Sequence, residues 1–246
     1  MVKLLDTKIL VPVNSFLPNS IDCCVIGLGY IGLPTAAIIA DKGIRTRGFD
    51  VNHNVVDVIN QGDIHIVEKD LKNLVSKVVK NGMLTAHSEI QKSDVFVISV
   101  PTPFYKKDNQ APQPNLKYVK EAAYQISKVY QPGNLIILES TSPVGTTKYL
   151  QELVSSSSGL SPNSISIAYC PERVLPGNIL TELIFNDRVV GGVNEQSSLM
   201  AFEFYQYFCK GKINRTNVQT AELVKLTENA YRDVNLAFAN EISIIC

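Results

Sequence analysis

Gly27, Gly29 and Gly32 stand at Gly-x-Gly-x-x-Gly spacing, between a short apolar run and a stretch of small, helix-compatible residues. In such a turn the first glycine allows a tight bend and the second lets backbone approach a pyrophosphate. The third lets helix and strand pack closely. A helix leaving near Tyr30 and Ile31 points its free N–H groups and the positive end of its dipole at the phosphates. The next apolar run, Arg45 to Phe49, ends in Asp50, close to the expected distance of about twenty residues from the turn. A carboxylate there accepts the ribose hydroxyls of NAD. It repels the extra phosphate of NADP, because two like charges about 4 Å apart cost roughly 4 kcal/mol at an effective dielectric near 20. Val51, Asn52, His53 and Asn54 follow and bring no cation, while Arg45 and Arg47 precede along the strand. NAD is the expected cofactor.

Further polar residues fall where strands end. An apolar strand over 94–100 runs into Pro101-Thr102-Pro103, which places stiff backbone at the carboxyl end of the sheet. That end is where open α/β sheets hold ligands. Thr141 sits at the tip of the strand 135–138, and Pro143 is expected in the first turn of the following helix with Ser142 as its cap. A strand at 165–169 opens into Cys170-Pro171-Glu172-Arg173-Val174. In a long helix from about Gln219 to the end, Glu222, Lys225, Asn229, Arg232, Asp233 and Asn240 share one face. Leu223, Ala230, Val234 and Ala237 fall largely away from it. Two readings of that polar stripe stand: a solvated face, or side chains turned into a site.

Strands near 22–27, 45–50 and 83–87 alternate with helices near 51–61 and 67–80, and the same alternation continues beyond. This pattern argues for an α/β fold, a Rossmann-like doubly wound and mainly parallel sheet, followed by the long C-terminal helix. Residues 1–20 read as an N-terminal extension, 21–208 as the Rossmann domain, and 209–246 as a linker plus central helix. The loop 104–115, polar and proline-bearing, is placed to fold over the cofactor. The aromatic side of the helix over 195–208 (Phe202, Phe204, Tyr205, Tyr207, Phe208) is read as packing.

Lys and Arg number 23, as do Asp and Glu, and no long like-charge run occurs, so there is no nucleic-acid footprint. No apolar run approaches a membrane span of roughly 20 residues. Asp6 and Lys8 interrupt the apolar N-terminus, which argues against a signal peptide, and the chain reads as cytoplasmic. The five cysteines, at 23, 24, 170, 209 and 246, form no Cys-x-x-Cys pair, and with three histidines no metal site is expected. Cys23 and Cys24 read as small core residues.

Several of these segments together resemble one family, the nucleotide-sugar 6-dehydrogenases of the UDP-glucose/GDP-mannose dehydrogenase superfamily. They are the 27–34 turn, Val100-Pro101-Thr102-Pro103, Glu139-Ser140-Thr141-Ser142-Pro143-Val144-Gly145-Thr146, the 169–177 segment, and Leu223 to Ala230. The Pro-Glu-Arg-Val-Leu-Pro-Gly form, with the 186–192 and 232–235 segments, is most similar to the branch acting on UDP-N-acetyl-D-mannosamine. The resemblance spans about residues 21–246. It implies oxidation of a sugar C6 alcohol to a uronate with two NAD, through a cysteine-bound thiohemiacetal, in polysaccharide biosynthesis. It also implies that Lys225 and Asn229 stabilise charge on the substrate oxygen. Glu172 is then a base or water-orienting carboxylate and Thr141 positions that water, although a loop carboxylate bonded to backbone remains the alternative for Glu172. Arg173 and Val174 join Glu172, Lys225 and Asn229 as substrate contacts. Pro101, Thr102 and Thr141 join Gly27, Gly29, Tyr30, Ile31, Gly32 and Asp50 as cofactor contacts.

The family's nucleophilic cysteine sits in a Gly-Gly-His-Cys-like stretch beyond the long helix, and a C-terminal domain holds the nucleotide half of the substrate. Neither is found here, and Cys246, flanked by isoleucines, reads as a packed helix residue rather than the nucleophile. The sequence is thus expected to be a shortened, cofactor-binding portion that turns over UDP-sugars negligibly alone and forms a homodimer through the long helix when complete. Dehydrogenases of other UDP-sugars such as glucose or N-acetylglucosamine, hydroxyacid or 6-phosphogluconate dehydrogenases, and a non-catalytic NAD-binding partner are the competing readings.

Overall fold

The computed structural model describes residues 17–18, 20–105 and 111–246, so the N-terminal extension lies mostly outside the described residues. The chain runs β1 (Asp22–Ile26), α1 (Gly32–Asp41), β2 (Arg45–Phe49), α2 (His53–Asn60), α3 (Leu71–Lys80), β3 (Leu84–His87) and β4 (Val95–Ile98). It continues through β5 (Phe104–Tyr105), β6 (Gln113–Pro114), α4 (Lys117–Ser127), β7 (Leu135–Leu138), α5 (Thr146–Ser158) and β8 (Ser166–Tyr169). Last come α6 (Ile179–Phe185), β9 (Arg188–Gly192), α7 (Glu195–Gln206), β10 (Ile213–Asn217) and α8 (Val218–Ile245).

Eight strands form one sheet in the order β10-β9-β8-β7-β4-β1-β2-β3. Every pairing is parallel except β8 with β9. Both faces are covered, which explains the continuous apolar strands. Cys23 and Val25 face one core layer with α1, α3, α6 and α7; Cys24 and Ile26 face the other with α4 and α5. From β1 the chain builds outward to β2 and β3, then returns to place β4 and β7 on the other side. The switch point therefore falls between β1 and β4, where such sheets open a ligand crevice.

Three local expectations need correction. The linker expected over 210–217 contains β10, which extends the sheet by pairing with β9. The helix after Thr141 starts at Thr146, not at Pro143. Gly145 takes a left-handed φ of 96° at its N-cap, and the Ser142 hydroxyl donates instead to the Ser140 carbonyl (3.0 Å). A buried carboxylate from α8 supplies the cap. Cys246 is exposed rather than packed, as are the residues before it in the last turns of α8. In the 104–115 loop, β5 and β6 pair as a small antiparallel hairpin, and its tip lies outside the described residues.

The aromatic side of α7 is core, as expected. Phe204, Tyr205 and Phe208 are buried, with Phe204 edge-on to both of the others. On α8, by contrast, Leu223, Tyr231, Val234, Leu236, Phe238, Ile244 and Ile245 are all exposed. Among the described residues no helix is long and apolar enough to cross a membrane.

Candidate functional site

A cleft of about 690 Å³ opens over the carboxyl ends of β2, β1, β4 and β7. Its first part is the glycine turn. Gly27 has a φ of 89°, and its N–H donates to the Phe49 carbonyl (2.8 Å), closing the crossover from β1. A Cβ at Gly27 would come within 2.5 Å of the Ser99 carbonyl oxygen, and a Cβ at Gly32 would overlap the Gly27 carbonyl. At Gly29 it would meet nothing within 4 Å. Two glycines thus close the turn, while the third leaves bare backbone facing the cleft. Ile31 lines the cleft beside Gly29, and the Tyr30 hydroxyl donates to Glu68 (3.0 Å).

Asp50 stands at the rim, at the end of β2. Its two oxygens accept from the Leu28 and Asn52 N–H groups, each at 2.9 Å, so the carboxylate shapes the turn and keeps lone pairs for further donors. An open glycine cradle for a diphosphate next to an anchored carboxylate for a ribose fits an adenine dinucleotide. Tyr118, Glu121 and Gln125 of α4 complete that side of the wall.

The cleft continues past Pro101 and Thr102, after β4, to Glu139 and Thr141, after β7, and ends against Glu172, Val174 and Lys225. Glu172 Oε1 accepts its neighbour Arg173 N–H at 2.6 Å, whereas Oε2 is buried without a hydrogen-bond partner, 3.7 Å from the Arg188 guanidinium. The backbone-bonded alternative therefore accounts for one oxygen and leaves the other without a hydrogen bond. Burial lowers the Lys225 ammonium pKa, and Glu172 opposes the shift. Arg173 turns out of the cleft: its Nε donates to Glu228 (2.8 Å) and its Nη1 to the Asp187 carbonyl (3.1 Å), tying the loop to α8. Asn229, one turn beyond Lys225, is exposed and outside the cleft wall.

Two features went unread in the sequence. Glu139 is fully buried and accepts from Tyr205 (2.8 Å), and its Oε2 has no partner. Burial, with the Glu172 charge second, pushes its carboxyl up to about 7, against the pull of Arg188 and Tyr205. A charged residue closing a wholly apolar strand was the available signal. The second is Glu68, whose oxygens also accept from the Gly177 and Ile179 N–H groups, each at 3.0 Å. It joins the glycine turn to the loop that carries Glu172.

The family model for the NAD-binding domain of UDP-glucose/GDP-mannose dehydrogenases matches residues 21–209, and the model for their central domain matches residues 219–246. The chain belongs to the UDP-glucose/GDP-mannose dehydrogenase family. Its cofactor is accordingly NAD. A UDP-N-acetyl-D-mannosamine dehydrogenase from Campylobacter jejuni is 52% identical over 91% of this chain and 56% of its own length. An NDP-N-acetyl-D-galactosaminuronic acid dehydrogenase from Ralstonia nicotianae is 49% identical over 90% of this chain and 53% of its own. Among solved structures, UDP-D-ManNAc dehydrogenase from Pyrococcus horikoshii superposes with a TM-score of 0.86 at 40% identity, covering 91% of this chain and 53% of that one. The chain spans about half the length of these relatives.

Proposed function

We propose that this chain is the NAD-binding portion of a dehydrogenase that oxidises the C6 alcohol of UDP-N-acetyl-D-mannosamine to the uronate. The observation that carries the proposal is the single cleft running from the glycine turn and Asp50 to Thr141, Glu172 and Lys225. One end suits a dinucleotide, and the other offers an ammonium beside a carboxylate with an unbonded oxygen. In this reading NAD takes up a hydride. The chain's residues do the rest.

Gly27, Gly29, Tyr30, Ile31, Gly32 and Asp50 seat the dinucleotide, with Pro101, Thr102 and Thr141 along its path. The Lys225 ammonium stabilises negative charge developing on the substrate oxygen. Glu172 Oε2 accepts a proton from the alcohol or a water, and Thr141 orients that water. Val174 contributes an apolar wall; Arg173 holds the loop through Glu228. Asn229 reaches the same oxygen as Lys225 only if its side chain turns inward when substrate binds. Division at residue 208 into a Rossmann domain and a linker with central helix, a cytoplasmic location, and a homodimer across the exposed apolar side of α8 belong to the same proposal.

Among the described residues no cysteine lines the cleft, so no thiol here is placed to capture an aldehyde. The 246-residue chain is expected to bind NAD and to form NADH from UDP-N-acetyl-D-mannosamine negligibly. Robust NADH production by the purified chain would overturn the binding-portion reading. The Ralstonia relative favours a second reading, in which the sugar is the galacto epimer. Titrating the NAD-loaded protein with UDP-N-acetyl-D-mannosamine, UDP-N-acetyl-D-galactosamine and UDP-glucose separates the two, with the manno compound expected to bind most tightly.

A further inference from the structure

Arg188, at the start of β9, is buried and lies between two carboxylates. Its Nη1 is 3.9 Å from Glu139 Oε1 and 3.7 Å from Glu172 Oε2, and its Nη2 donates to the Leu183 carbonyl (3.0 Å). Its guanidinium also stacks on the Tyr205 ring, 4.6 Å from the centroid. Burial opposes its charge, but Glu172 and Glu139 hold it protonated. One fixed, buried cation thus faces two acids. Glu172 also faces the Lys225 ammonium, whereas the buried Glu139 has only the shared guanidinium, so the pair holds its proton chiefly on Glu139. Each acid keeps a buried oxygen without a hydrogen-bond partner, and both residues form the cleft wall.

The remaining ionisable neighbours are few. Tyr205 on α7 donates to Glu139; the Cys170 thiol at the end of β8, pushed up to about 12 by burial, contacts Arg188 (3.9 Å); Cys23 on β1 is neutral and buried; Lys225 on α8 faces Glu172. Were Asp50 and the glycine turn to hold the adenosine and diphosphate of a dinucleotide, the rest of the cleft, past β4 and β7 and lined by Glu139, would take its other half. That half carries a positive charge on its ring in NAD+ and none in NADH.

We propose that Glu139 and Glu172, held on either side of the Arg188 guanidinium, act as one proton-holding pair whose proton leaves when NAD+ enters the cleft and returns when the nicotinamide is reduced. The inference rests on the reading of the cleft as an NAD site. A cation arriving beside the pair favours the doubly ionised form and expels the shared proton to solvent. When the alcohol is oxidised, its C–H bond breaks with the electron pair passing to NAD+, and its O–H bond breaks with the proton passing to the pair. The carbonyl compound, NADH and a singly protonated pair balance the alcohol, NAD+ and a doubly ionised pair. Glu139 acts here through Glu172 and Arg188, as a positioning residue.

Calorimetric titrations of the chain with NAD+ and with NADH, in buffers of differing ionisation enthalpy, count protons released per cofactor bound. A fraction of a proton is expected to leave with NAD+ near pH 7 and none with NADH. Glu139→Gln is expected to abolish the release while NAD+ still binds. Tyr205→Phe, which removes a donor to the carboxylate, is expected to move the pH of maximal release upward, and it tests the same idea should the first variant fail to fold. NAD+ binding with no proton release, or equal release with NADH, overturns the proposal and leaves the NAD site standing. No binding of either cofactor overturns both.

Discussion

Glu222, buried near the start of α8, accepts the backbone N–H groups of Gly145 (2.6 Å) and Thr147 (2.8 Å) and the Thr147 hydroxyl (2.7 Å). It caps α5 from another helix, which is why that helix begins after the left-handed Gly145 rather than at Pro143. The bonds also fix the root of α8, and so the position of Lys225 one turn on. Glu222→Ala leaves the two buried Thr147 donors without an acceptor, and the exposed Gly145 N–H to water, and is expected to cost about 3 kcal/mol. Glu222→Gln, which keeps one acceptor oxygen, is expected to cost about half as much. Urea denaturation of the three proteins checks the order, and an alanine variant as stable as the parent contradicts it.

The glycine turn makes a paired prediction. Gly32→Ala forces a Cβ into the Gly27 carbonyl, backbone that cannot yield without breaking the turn, so both folding stability and NAD binding are expected to fall. Gly29→Ala meets no atom and is expected to fold within about 1 kcal/mol of the parent. Its methyl group stands where the diphosphate approaches, and NAD affinity is expected to drop roughly tenfold or more, the loss of about one good hydrogen bond to a charged group. Thermal melts with and without NAD separate the two effects. A Gly29→Ala protein that NAD stabilises as well as the parent rules out the cradle.

Local signals served well wherever one chemical need acts on neighbouring residues. The Gly27–Gly32 turn is legible because three backbone constraints fall within six positions. The doubly wound order follows from apolar runs such as Val95–Ile98 alternating with the amphipathic α2 and α3. Helical spacing groups Glu222 with Lys225 and Asn229 on one face, although Glu222 is buried against α5 and Asn229 is exposed. Periodicity gives a face but not its partner. Glu139, Arg188 and Tyr205 lie far apart in the chain, on different elements, so no spacing rule joins them. The polar residues of β10, Asn214, Arg215, Thr216 and Asn217, read as linker in the sequence but suit a sheet edge that pairs on one side only.

Asp50 carries two loads, and a substitution can separate them. Asp50→Asn keeps an oxygen for the Leu28 N–H, leaves the exposed Asn52 N–H to water, and is expected to fold. It removes the negative charge facing a ribose 2′ position, where the repulsion of a phosphate amounts to roughly 4 kcal/mol at close range. NAD affinity is expected to weaken modestly and NADP affinity to rise, so their ratio narrows by at least tenfold. Competition titrations on the variant decide it. An unchanged ratio means that something other than this carboxylate selects the cofactor.

Glu139 predicts how stability varies with pH. Its folded carboxyl is raised to about 7 by burial and Glu172, so the folded state binds its proton more tightly than the unfolded chain does. The unfolded carboxyl ionises first, near its ordinary value. Between that value and about 7, the folded protein therefore loses stability from this group as pH rises, and above about 7 the whole penalty is present. Glu139→Gln mimics the protonated form at every pH. The two proteins are expected to match near pH 5 and to diverge above pH 7, with the variant more stable by on the order of 2 kcal/mol. The buried Arg188 then retains Glu172 as its counter-charge. Denaturation midpoints from pH 5 to 8.5 test this, and a variant less stable than the parent at high pH would show that Arg188 needs Glu139 ionised.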